Sequence, residues 1–107
     1  VDLLKSRAYG IFVSEFGKHL SQVGEIFKPE YQPSEQEITK AMTSFHTIRG
    51  GAGFFGLSEI ARLAGELEEL LSSAHFELEM ERARIQGDVQ RLHKIAEDMP
   101  EPNGGTL

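Results

Sequence analysis

The chain has no cysteine among its 107 residues. That absence removes disulfide scaffolds, thiolate zinc sites and cysteine nucleophiles together, and it fits a reducing compartment. No apolar run approaches the roughly 18 residues that a membrane span needs. Basic residues are scarce, 11 against 17 acidic ones, for a net charge of −6. Such a balance argues against nucleic acid or an anionic membrane as the main partner. The start, VDLLKSR, has no methionine and no signal-peptide plan. It is expected for a domain of a longer polypeptide, with PEPNGGTL as a linker after it. Internal repeats, low-complexity tracts and strand-like alternation are absent too.

What is present is helical periodicity. Phe12, Phe16, Leu20, Val23 and Phe27 share one face of a first helix expected over residues 2–27. Leu4 and Ala8 extend that stripe backward, Asp2 is the expected N-cap, and Lys28-Pro29 ends the helix. Ser34 and Glu37 form a capping box that opens the second helix, whose stripe is Ile38, Met42, Phe45, Ile48 and Ala52. After a tight turn over residues 54–57, a third helix begins near Ser58, with Ile60, Leu63, Ala64, Leu67, Leu70 and Leu71 inward. It ends around Ser72 and Ser73 or one turn beyond. Beside its stripe runs a strip of Ala61, Gly65, Glu68 and Ser72, small apart from one carboxylate. A last helix over residues 77–98 carries Leu78, Ile85, Val89, Leu92, Ala96 and Met99, and Pro100 stops it. These patterns predict an all-α fold, an antiparallel up-down-up-down four-helix bundle over residues 1–99, with a flexible linker over 100–107. At this length about two thirds of the chain's surface is buried on folding, enough for a core without staples.

The unusual stretch is FHTIRGGAGFFGL, residues 45–57, with glycines at 50, 51, 53 and 56. Its first glycines fall inside or at the end of the second helix, each costing about 1 kcal/mol relative to alanine. Retaining Gly50 and Gly51 beside His46 points to space kept around the imidazole for a partner. The run Gly51-Ala52-Gly53-Phe54-Phe55-Gly56 spells a dinucleotide fingerprint, G-x-G-x-x-G. That fingerprint works only between a strand and a helix in a βαβ unit, so nucleotide binding is set aside.

His46 lies just off the second helix's buried stripe, so its ring is expected at the edge of the core, partly exposed. Its helical neighbours are Thr39, Met42, Thr43, Arg49, Gly50 and Gly53. A neutral imidazole is a good nucleophile near pH 7. To attack phosphorus through one ring nitrogen it needs the other held, with its proton, by an acceptor. Glu68 on the facing helix is the candidate acceptor, and Arg49 the cation that can meet a phosphoryl group. The plainer alternative for Glu68 is a solvated place on an acidic face with Glu59, Glu66 and Glu69; for Arg49 it is an ordinary surface charge. His19, His75 and His93 are expected at the surface or the core boundary. No two histidines stand at the i, i+4 spacing of a helical zinc site, and His75 with Glu79 supplies only two ligands, so no metal is expected. Phe54 and Phe55 are expected to pack the turn, with at least one bordering a docking surface.

The segment His46-Thr47-Ile48-Arg49-Gly50-Gly51-Ala52-Gly53-Phe54-Phe55-Gly56-Leu57 resembles the signature of histidine-containing phosphotransfer (HPt) domains, H-x-x-K-G-x-A-x-x-x-G. The variety it looks most like is the N-terminal phosphotransfer domain of CheA-type chemotaxis histidine kinases. The resemblance implies that His46, on the second helix, is the phosphoacceptor and that Glu68 orients its ring. It places Arg49 where the family usually has lysine, which keeps the charge and changes reach and geometry. It puts Gly50 at the glycine that leaves room for a docking receiver domain; Gly53, Met42 and Thr43 complete the expected partner face. The implied function is a phosphorelay intermediate in two-component signalling, with a kinase ATP-binding domain and response-regulator receivers as partners. Such a domain has no ATP site or cofactor and is not itself an enzyme, although its parent can be a histidine kinase. The implied location is cytoplasmic, within a bacterial signalling protein. The rival from another class is a pseudo-HPt adaptor that binds signalling partners without carrying phosphate.

Overall fold

The structure, a computed structural model, describes residues 6–100. The expected linker past Pro100 and the expected cap at Asp2 lie outside the described residues. Four helices follow in order: α1 (Arg7–Ile26), α2 (Glu35–Phe54), α3 (Ser58–Ser72) and α4 (Leu78–Glu97). They form the expected four-helix bundle, 44 × 22 × 20 Å, in which α1 packs on α2 and α4, and α3 on α2 and α4. There is no strand among the described residues.

The helix ends follow from local chemistry. At the start of α1, Ser6 holds an extended backbone and its hydroxyl accepts from the Tyr9 amide at 3.1 Å. The helix therefore begins at Arg7, with Ser6 as its cap. The capping box of α2 is complete: Ser34 Oγ accepts from the Glu37 amide, and Glu37 accepts from the Ser34 amide. The α2–α3 turn is a Schellman ending. Gly56 takes φ +72, its amide reaches the Gly53 carbonyl, and the Leu57 amide reaches the Ala52 carbonyl at 2.8 Å. A side chain at Gly56 would strain that left-handed backbone. α4 falls between Glu77 and Asp98 as its caps, with Glu79 and Glu81 at the positive end of its dipole.

The core is one cluster drawn from all four helices, with Phe16, Leu20, Val23, Phe45, Ile48, Ile60, Leu67, Ile85 and Leu92 among its members. Burying each large apolar side chain contributes about 2 kcal/mol. The stripes run close to expectation, with differences at their edges. Ala8 faces solvent while Tyr9 is buried, its hydroxyl donating to the Pro100 carbonyl at 3.0 Å. Ile38 and Met42 are only half-buried, and Ala41 and Ser44 face inward instead. α4 also holds the end of α1. Gln86 donates to the Phe27 carbonyl at 2.8 Å, and Arg82 donates to the Lys28 and Tyr31 carbonyls at 2.7 and 2.9 Å. The Lys28 carbonyl also accepts from the Tyr31 amide at 3.3 Å, and long side chains from across the bundle bond all three carbonyls.

Candidate functional site

The α2–α3 hairpin positions the site. Because its helices run antiparallel in register, the small strip of α3 lies along one face of α2: Glu68 meets His46, and Gly65 meets Arg49. His46 Nδ1 and Glu68 Oε2 are 2.8 Å apart. A carboxylate can only accept, so Nδ1 carries the proton and Nε2 is left with its lone pair. No atom of the described residues hydrogen-bonds Nε2, and the His46 side chain is 62% exposed. The arrangement is that of an oriented nucleophile open to a partner.

Glu68 is held less loosely than its surface position suggests. Its side chain is 21% exposed, and Oε1 is buried without a hydrogen bond. The nearest cation is Arg49, with Nη1 3.4 Å from Oε1, an ion pair without a hydrogen bond. One carboxylate thus faces the imidazole with one oxygen and the guanidinium with the other. The alternative of a fully solvated Glu68 does not describe this geometry, while Arg49 keeps the half-exposed side chain of a surface charge.

The glycines divide by role. A Cβ at Gly50 or Gly53 would meet nothing within 4 Å, so both leave open space beside His46. Gly51 does not share that task, contrary to expectation. A Cβ there would stand 2.5 Å from the Phe12 ring, so this glycine lets α1 approach α2. Thr43 is exposed and donates to the Thr39 carbonyl at 3.1 Å, while Met42 packs half-buried against the core. Phe54 is 66% exposed, and its ring sits edge-on against Phe55, which in turn packs on Tyr9 and Phe12. With helical spacing of four, His46, Gly50 and Phe54 lie along one line of α2.

Other histidines are differently placed. His19 is half-buried, and its Nδ1 lies 3.0 Å from the hydroxyl of Ser44, which is buried between α1 and α2. Sequence reasoning missed this pair, because neither residue stands on a motif. His75 and His93 are exposed. Among the described residues no group of three or more His, Cys, Asp or Glu is placed to hold a metal. The shifted acids lie away from His46, near the first connection and the start of α4. The Tyr31 hydroxyl donates to Glu37 at 2.7 Å, which holds that carboxyl below its ordinary range and pushes the phenol up. Hydrogen bonds from Arg82 and then Gln32 hold Glu79 low as well. No helix among the described residues is long and apolar enough to cross a membrane.

The chain is thus an all-α four-helix bundle with an exposed histidine on its second helix bonded to a carboxylate of its third. The family model of the Hpt domain matches residues 7–99, all four helices, and the chain belongs to that family. Hpt domains are phosphotransfer modules of two-component signalling without an ATP site of their own. No solved structure matches the chain.

Proposed function

We propose that His46 is the phosphoacceptor and that Nε2 is the atom that carries the group. The observation that carries this reading is the 2.8 Å contact between Nδ1 and Glu68, which leaves Nε2 as the exposed nucleophile. In the forward step the Nε2 lone pair attacks phosphorus, an N–P bond forms, and the donor's bond to phosphorus breaks with its electron pair leaving on the donor. The ring gains positive charge, which the Glu68 carboxylate offsets while Nδ1 keeps its proton. In the return step an aspartate of a receiver attacks phosphorus, the N–P bond breaks, and the ring becomes neutral again. Transfer of this kind depends on positioning and charge neutralisation, which is what this side of the complex supplies. Arg49 is the cation available to the phosphoryl oxygens.

The donor is the ATP-binding domain of a histidine kinase or the phospho-aspartate of a receiver, and the acceptor is a receiver. Gly50, Gly53, Thr43 and Met42 form the docking face around the ring, and exposed Phe54 lies at its far end. From Ile38 to Phe54, α2 carries no acidic residue in a chain of net charge −6, which suits a partner with an acidic active site. The N-terminal phosphotransfer domain of a CheA-type chemotaxis kinase is the setting we favour, because the carboxylate that orients the ring comes from the third helix, as in that variety. A cytoplasmic location follows from that setting.

The test is phosphorylation by a kinase or by a phosphorylated receiver. Acid-labile, alkali-stable phosphate on the wild-type chain that disappears in His46→Gln supports the reading. Receiver binding with no such label on the wild type identifies a pseudo-HPt adaptor instead.

A further inference from the structure

The Arg49–Glu68 contact crosses from α2 to α3, and the residue beneath the crossing is a glycine. A Cβ placed on Gly65 would lie 3.0 Å from Arg49 Cδ and 3.9 Å from its Cγ. The stem of Arg49 therefore rests directly on the backbone of α3. The same side chain ends 3.4 Å from Glu68 Oε1, the one buried side-chain polar atom without a hydrogen bond among the described residues. These are separate observations, one of packing and one of charge, and both concern Arg49.

We propose that Gly65 is a positioning residue, the seat on which Arg49 crosses to α3 and holds the inner oxygen of Glu68. This proposal rests on the phosphoacceptor reading of His46. The register of the hairpin makes the arrangement simple. Gly65 precedes Glu68 by three residues on α3, and Arg49 follows His46 by three on α2, so the two pairs stand as successive rungs. On one rung a long side chain lies over a glycine; on the other an imidazole meets a carboxylate. With Oε1 held by the guanidinium, the carboxylate is fixed in the rotation that presents Oε2 to Nδ1. Arg49 thereby acts before any phosphate arrives, through the carboxylate that orients the ring. A planar guanidinium suits this role, since it reaches further than an ammonium and loses less freedom when held. A side chain at Gly65 would lift the stem and leave Oε1 buried without its cation, an arrangement that is costly for a carboxylate.

The experiment uses the full chain with phosphoramidate, a small donor that needs no protein docking. Gly65→Leu is expected to slow phosphorylation of His46 about tenfold, and Gly65→Ala about threefold, when Arg49 is present, with no further slowing in an Arg49→Ala background. Circular dichroism of both variants should keep the wild-type helical signal. A loss of rate therefore does not report a loss of fold. Slowing of equal size in both backgrounds, or a wild-type rate for Gly65→Leu, overturns the proposal. A second measurement needs no phosphate. Nitrogen-15 NMR of the unmodified chain should show restrained Arg49 guanidinium signals that become averaged in Gly65→Leu; signals already averaged in the wild type overturn the seat. If the wild-type chain takes no phosphate at all, the phosphoacceptor reading fails while the NMR measurement still decides the role of Gly65.

Discussion

Two histidines of this bundle make similar bonds across helix seams and have different capacities. His46 spans α2–α3 to a carboxylate at 2.8 Å, and His19 spans α1–α2 to a hydroxyl at 3.0 Å. Bond length does not separate them. The partner does: a carboxylate fixes the tautomer and offsets positive charge on the ring, while a neutral hydroxyl can donate or accept and brings no charge. Surroundings separate them as well. His46 is mostly exposed beside two glycines with open space, whereas His19 is half-buried and tied to the buried Ser44. On the proposed reading, a cross-helix histidine serves as a site when its free nitrogen can be reached and its bound nitrogen is held by charge.

The largest expected difference is all-or-none. His46→Gln should abolish phosphate uptake, while His19→Gln should retain it; label that survives in the first variant breaks the comparison. Next comes the partner of each ring. Glu68→Ala should slow phosphorylation of His46 by about tenfold to a hundredfold with circular dichroism unchanged, by analogy with the loss of a carboxylate that orients a metal-bound histidine. Ser44→Ala should leave that rate unchanged and cost about 1 kcal/mol on denaturant unfolding, through one lost hydrogen bond.

The adjacent glycines sharpen the same contrast between a working seam and a packing seam. Gly50→Ala should gain up to about 1 kcal/mol of stability. It should also raise KM for a phosphorylated receiver without changing the rate with phosphoramidate. Gly51→Ala should lose about 1–2 kcal/mol, because crowding against Phe12 outweighs the gain in helix propensity. Equal behaviour of the two variants would remove the distinction drawn here between them.

The smallest effect lies at the first connection, away from both seams. The carboxyl of Glu37 has a lowered pKa in the fold, mainly from its bond with Tyr31. A lowered folded pKa gives stability that is present above the unfolded value and lost as pH falls through the folded one. Acid unfolding of the wild type should therefore be steeper through the carboxylate range than that of Glu37→Gln. Parallel curves would show that the bond adds nothing in solution.

Much of this is legible in the residues because it is local. The capping box at Ser34, the spacing of Phe16, Leu20 and Val23, and Pro100 beyond α4 each act within a turn or two of helix. The His46–Glu68 pair was legible for a further reason: a lone carboxylate in a strip of small residues has few other places to go once the hairpin is short. The start of α1 was less so: Ser6 caps it through its extended backbone and its bond to the Tyr9 amide, and nothing in the apolar spacing singles that serine out. Gly51, Ser44 and Arg82 were not legible at all. Their partners, Phe12, His19 and the carbonyls after α1, lie on other helices or in a connection far away in the chain.

By itself the sequence determined four helices, their order, the glycine ending of α2 and the face on which His46 stands. Those features depend on helical period and on caps, which are properties of neighbouring residues. Tertiary structure decided which nitrogen of His46 is held, which glycine is space and which is contact, and that Arg49 crosses over Gly65. Each of these depends on the rotation and offset of one helix against another. Packing of the whole core sets that rotation, and the period of a single helix does not contain it.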